Sequence, residues 1–124
     1  MVAPKQLTMN ISITFEIPSG KVSLAAIEET VRENLKEAGR LMIKAFLEAL
    51  QERLSFMLEA SHPERFVRNG RHGRGRLFNT IFGEIRVANR QLRDKETGKT
   101  VRLLPLAVDF RPRKRFSLGA YVPL

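Results

Sequence analysis

Apolar and polar residues alternate strictly through "LTMNISITFEI". Leu7, Met9, Ile11, Ile13, Phe15 and Ile17 fall at every second position, with Thr8, Asn10, Ser12, Thr14 and Glu16 between them. Period two is the mark of a strand with one face on a core and the other in water. "PSGK" then punctuates the run as a turn.

The period changes after Ser23, a residue suited to capping a helix amino terminus. Leu24, Ile27, Val31, Leu35, Ala38, Met42, Ala45 and Ala49 recur at spacings of three and four, which describes one apolar seam along a long helix. Beyond Leu41 a second stripe joins it, made of Ile43, Phe46, Leu47, Leu50 and Leu54 with Met57 or Leu58. The carboxy-terminal half of this helix is therefore apolar over most of its girth. A small domain has little material to cover both stripes, so a sheet is expected on one and a partner chain or further domain on the other. Gly39 in mid-helix costs about 1 kcal/mol relative to Ala, which predicts a close approach or a slight bend there.

"ASHPERFVRNGRHGRGR" ends the helix and reads as a basic, glycine-rich loop. Three strand-like runs follow: "RLFNTI", "EIRVANRQLR" and "TVRLLPL". Gly83 separates the first two. "DKETGK" separates the second and third as a hairpin turn, with Asp94 to open it and Gly98 to close it. The expected architecture is a single α+β domain over residues 1–124: an amino-terminal strand, one long helix, and an antiparallel β meander or hairpin packed on the helix. Its parts are a strand plus helix (1–60), the basic loop (61–76), the β hairpin region (77–110) and a basic tail (111–124).

Composition narrows the chemistry. The chain has 124 residues and no cysteine, which removes disulfides, thiolate metal sites and cysteine nucleophiles. There is no apolar run long enough to span a membrane and no secretory signal at the amino terminus, so a cytoplasmic protein without a membrane partner is the expectation. Charge is divided unevenly. Residues 1–62 hold 7 Lys/Arg against 8 Asp/Glu, and residues 63–124 hold 15 against 5, a net +10 in the second half. Arginine predominates over lysine there, and its planar fork matches phosphate. A polyanion is the partner such a surface fits.

Other chemistry finds little footing. "GKT" at Gly98–Thr100 has Arg93 where a phosphate loop needs its first glycine, and a strand rather than a helix follows. His62 and His72 have only Glu59 and Glu64 as nearby carboxylates, too few for a metal centre, and His62 reads as a helix-terminal residue. Asp94 and Asp109 are the only aspartates, and Asp94 is committed to the turn. No catalytic, cofactor-binding or metal-binding residue is expected, no cofactor is implied, and the chain is not expected to be an enzyme. The candidate polyanion contacts are Arg68, Arg71, Arg74 and Arg76 in the loop, and Arg86 and Arg90 four apart on one strand face. Arg93, Lys95 and Lys99 join them at the hairpin tip, with Arg111, Arg113, Lys114 and Arg115 in the tail. Competing against this reading, strand arginines can pair with Glu84, Glu96 or the helix glutamates.

The ordered elements Thr80, Phe82–Gly83–Glu84–Ile85, Arg86 and Arg90, Asp94 to Lys99, Leu103–Leu104 and Arg115 to Gly119 are similar to the amino-terminal region of ISLre-type insertion-sequence transposases. The match covers about residues 74–120. Leu118 stands where that family has proline, and Asn89 and Gln91 dilute its basic strand. The resemblance implies a DDE-type DNA transposase, in which an RNase H-like domain with three metal-binding acids follows this region. This chain is then a fragment or truncated relative, and no catalytic residue carries over. Duplex DNA becomes the expected polyanion, bound through phosphate contacts by an arginine-rich hairpin and loop. The rival expectation is a homo-oligomeric assembly module, joined through the apolar helix Leu41–Leu58 and kept soluble by its basic surface. An RNA-binding accessory role is a third reading, weakened by thin aromatic interleaving.

Overall fold

The computed structural model of the protein describes residues 5–71 and 75–110. Its spine is helix α1, Leu24–Ser61, 38 residues long, or about 57 Å at 1.5 Å per residue. Ser23 caps it as expected: the backbone is extended there, and the side-chain oxygen accepts from the Ala26 N–H at 3.1 Å. At the other end the His62 N–H donates to the Leu58 carbonyl at 3.0 Å. Pro63 prevents continuation, and Glu64 at φ 68° turns the chain back along the helix.

Five strands follow: β1 (Phe66–Arg71), β2 (Arg76–Thr80), β3 (Gly83–Val87), β4 (Arg90–Asp94) and β5 (Thr100–Arg102). They form two antiparallel sheets, one in the order β1-β4-β5 and one pairing β2 with β3. The short helix α2, Leu104–Ala107, closes the described chain. Ile85, Val87 and Leu104 form the core with Ile43 and Leu47 of α1, Phe78, Val108 and Phe110. Leu92 and Leu103 are also fully buried. The α+β class, with one long helix and antiparallel hairpins packed on it, agrees with the expectation.

Four details depart from it. The alternating segment Leu7–Ile17 is in no strand, because alternation provides a face but a strand also needs a ladder partner, and β1 to β5 pair among themselves. Residues 66–71, expected in a loop, form β1 on the free edge of β4, with Phe66 opposite Asp94 and Arg68 opposite Leu92. "EIRVANRQLR" is two strands in different sheets, broken at Ala88–Asn89. "TVRLLPL" is a strand only through Arg102, after which Leu104–Ala107 turns helical with proline in its first turn. Within the apolar stretch Leu41–Leu58, Ile43 and Leu47 pack inside the chain, while Leu41, Met42, Phe46 and Met57 stay exposed.

Gly39 serves a close approach. A Cβ there would lie 2.5 Å from the Phe82 ring, which sits at the β2–β3 turn. The Thr80 hydroxyl donates to the Gly83 carbonyl at 2.7 Å and accepts from the Phe82 N–H at 3.1 Å. Arg40 secures the turn to α1 by donating to the Phe82 carbonyl at 2.8 Å. The Thr-x-Phe-Gly element is therefore the joint between the two-stranded sheet and the helix.

Candidate nucleic-acid interface

The break at Ala88–Asn89 decides which way the arginines face. Gln51 of α1 is completely buried, and its amide spans the break. Its Nε2 donates to the Ala88 carbonyl at 3.0 Å, and its Oε1 accepts from the Arg90 N–H at 2.9 Å. One side chain thus satisfies the two backbone groups that a continuous ladder would have paired. The chain leaves one sheet and enters the other at this point, so Arg86 and Arg90 do not share a face as their spacing predicted.

Arg90 turns toward the helix and pairs with Glu52. Arg68 reaches the same carboxylate at 3.0 Å and Glu59 at 3.1 Å, and the Ser55 hydroxyl donates to Glu59 at 2.9 Å. The hydrogen bond from Arg68 to Glu52 raises the guanidinium pKa above its usual value against the opposing effect of burial. At the sheet's end Arg65 grips Asp94 with both arms, Nε to Oδ1 at 3.1 Å and Nη2 to Oδ2 at 2.9 Å, and lies 3.1 Å from Glu96. That fork holds the Asp94 carboxyl down at about 2, helped by the Glu96 N–H, which donates to Oδ1 at 2.9 Å. Asp94 also opens the turn as expected, accepting from the Gly98 N–H at 2.7 Å, with Gly98 at φ 74°. "GKT" is accordingly the end of a hairpin turn running into β5.

The opposite face of the three-stranded sheet carries different chemistry. Register places Gln91 opposite Arg102 and Arg93 opposite Thr100, with Val67 beside Arg93 on β1. Because Leu92 and Asp94 are buried, Gln91 and Arg93 point away from the helix, and Thr100 and Arg102 with them. Arg93 and Arg102 are diagonal neighbours, about 7–8 Å apart by the geometry of antiparallel pairs. Lys95 and Lys99 flank them in the turn. All four cations are exposed and make no ion pair with a described residue.

Of the sequence candidates, Arg93, Lys95 and Lys99 come together, while Arg68 and Arg90 are neutralised on the inner face. Arg76 lies over the rings of Phe78 and Phe110, 4.8 and 5.2 Å from their centroids, so it closes the core's edge. Arg86 is engaged within the protein as well. Arg71 sits in β1 opposite Arg90. Arg74, Arg111, Arg113, Lys114 and Arg115 lie outside the described residues, as does His72. Arg102 was missed by sequence reasoning, although counting outward from the Asp94–Gly98 turn would have put it on the face of Arg93. Among the described residues no three His, Asp or Glu side chains converge on a metal site, and no helix is long and apolar enough to cross a membrane.

Comparison with protein-family models, curated proteins and solved structures gives no match.

Proposed function

We propose that the outer face of the β1-β4-β5 sheet and its β4–β5 turn bind the phosphate backbone of duplex DNA, as the non-catalytic amino-terminal region of a transposase-like protein. The observation that carries this reading is the segregation of the arginines. Those facing α1 are matched by Glu52, Glu59, Asp94 and Glu96, whereas Arg93, Lys95, Lys99 and Arg102 are exposed together without a carboxylate partner. Cations kept only for solubility have no reason to gather on one sheet face. Among the described residues the face carries Val67, Gln91 and Thr100 and no aromatic ring on which a base would stack, which favours a duplex backbone over single-stranded RNA. The resemblance of the β2–β5 motifs to a transposase family supports DNA as the polyanion.

Fluorescence anisotropy of a labelled duplex over a salt series tests the proposal. Four phosphate contacts contribute about 3 to 4 to the slope of log K against log salt. Replacing Arg93, Lys95, Lys99 and Arg102 with serine is expected to remove that much of the slope and to leave the circular dichroism spectrum unchanged. A wild-type protein that fails to bind duplex at low salt, or a variant that keeps the full slope, refutes it.

A further inference from the structure

The two apolar stripes of α1 meet different fates. The second is partly covered: Ile43 and Leu47 pack against the core of the sheets, while Phe46 and Met57 stay exposed. The first is largely open: Leu24, Ile27, Val31, Leu35 and Met42 remain between 42% and 70% exposed. Beside it the alternating segment Leu7–Ile17 leaves Ile11, Ile13, Phe15 and Ile17 open to solvent, and its backbone has no ladder partner among the described residues. The two surfaces are continuous. Phe15 and Ile17 line a groove of about 290 Å³ with Val22, Ala26, Ile27 and Val31, and Ile27, Val31 and Leu35 border a second groove that ends at Ile81 and Phe82.

We infer that this surface is a two-fold interface with a second copy of the chain, in which the Leu7–Ile17 segments pair antiparallel and their joint apolar face covers the seams of both α1 helices. Three observations select a second copy as the occupant. First, the segment is self-complementary. In an antiparallel ladder centred on Ser12, Leu7 faces the partner's Ile17, Met9 the partner's Phe15 and Ile11 the partner's Ile13, while the polar positions meet one another on the other face. No like charges are opposed, and a ladder of this kind closes about a two-fold axis.

Second, most of the charge on the helix flanking the seam is balanced within one copy. Glu29–Arg32, Glu33–Lys36 and Glu37–Arg40 pair along it, so the surface lacks the net positive charge that draws a polyanion. Third, the exposed apolar residues of the segment and the seam adjoin in one patch, and large contiguous apolar patches mark interfaces between proteins. Antiparallel pairing also blunts the unpaired edge that would otherwise recruit strands indiscriminately.

The chain has no cysteine, so a single introduced thiol is a clean reporter. Light scattering and sedimentation of the whole protein without DNA are expected to give twice 14.2 kDa. Ile13→Lys and Val31→Lys are each expected to yield a monomer with unchanged helix content. Ser12→Cys is expected to cross-link to its copy on mild oxidation, because directly opposed residues lie within disulfide reach, whereas Lys36→Cys on the charged side is not. A monomer at all concentrations, a dimer indifferent to both lysine substitutions, or a dimer in which Ser12→Cys fails to cross-link overturns the inference. So does a monomer that dimerises only in the presence of another protein.

Discussion

Replacing Gln51 with leucine probes the joint on which the placement of every strand arginine depends. Leucine approximates the volume of glutamine, so the substitution leaves little cavity and acts through hydrogen bonding. It deprives the Ala88 carbonyl and the Arg90 N–H of their partners, at 3.0 and 2.9 Å in the native protein. Each group left unsatisfied costs about 1–3 kcal/mol, so the loss for the two is expected at about 2–6 kcal/mol, a large part of the ~5–15 kcal/mol that holds a domain folded. Urea unfolding followed by circular dichroism measures it as a lowered midpoint at constant slope. Gln51→Glu sharpens the test. At neutral pH it keeps the acceptor for Arg90 but offers no donor to Ala88 and adds a buried charge beside Glu52; protonation restores a donor, so its deficit shrinks as pH falls. A loss below ~1 kcal/mol for Gln51→Leu refutes the idea that this amide holds the break.

Two further outcomes follow from the packing and the charges. Gly39→Ala places a Cβ 2.5 Å from the Phe82 ring, and overpacking of about 1–3 kcal/mol outweighs the ~1 kcal/mol gain in helix propensity; thermal melts should show a net loss that Phe82→Leu relieves. Asp94 is held at about 2, below its ordinary 3.8, by Arg65. A depressed carboxyl stabilises the fold above its unfolded pKa and loses that contribution as pH falls through the folded value. Stability should therefore decline between about pH 4 and pH 2, and Asp94→Asn should flatten that decline; a wild-type melting temperature constant across this window contradicts the assignment.

Arg93 and Arg90 show how far a sequence carries an interface. Both stand in one arginine-rich run, and strand alternation alone puts them on opposite faces without saying which face is free. The answer lies in Glu52 and Glu59, remote in sequence, which take up Arg90 and Arg68. Arg86, by contrast, was paired with Arg90 because nothing local marks Ala88–Asn89 as a break; the cause is Gln51, nearly forty residues earlier.

What the amino-acid sequence determined by itself was local. The Ser23 cap, the long helix and the Asp94–Gly98 hairpin follow from backbone preferences and hydrogen bonds within a few residues. Tertiary structure alone decided that Leu7–Ile17 has no strand partner among the described residues, that part of the basic loop becomes an edge strand, and that Ile43 and Leu47 of α1 are packed while Leu24, Ile27, Val31 and Leu35 stay open. A strand, an ion pair and a buried face each need a second surface, and the separation along the chain does not say which surface arrives.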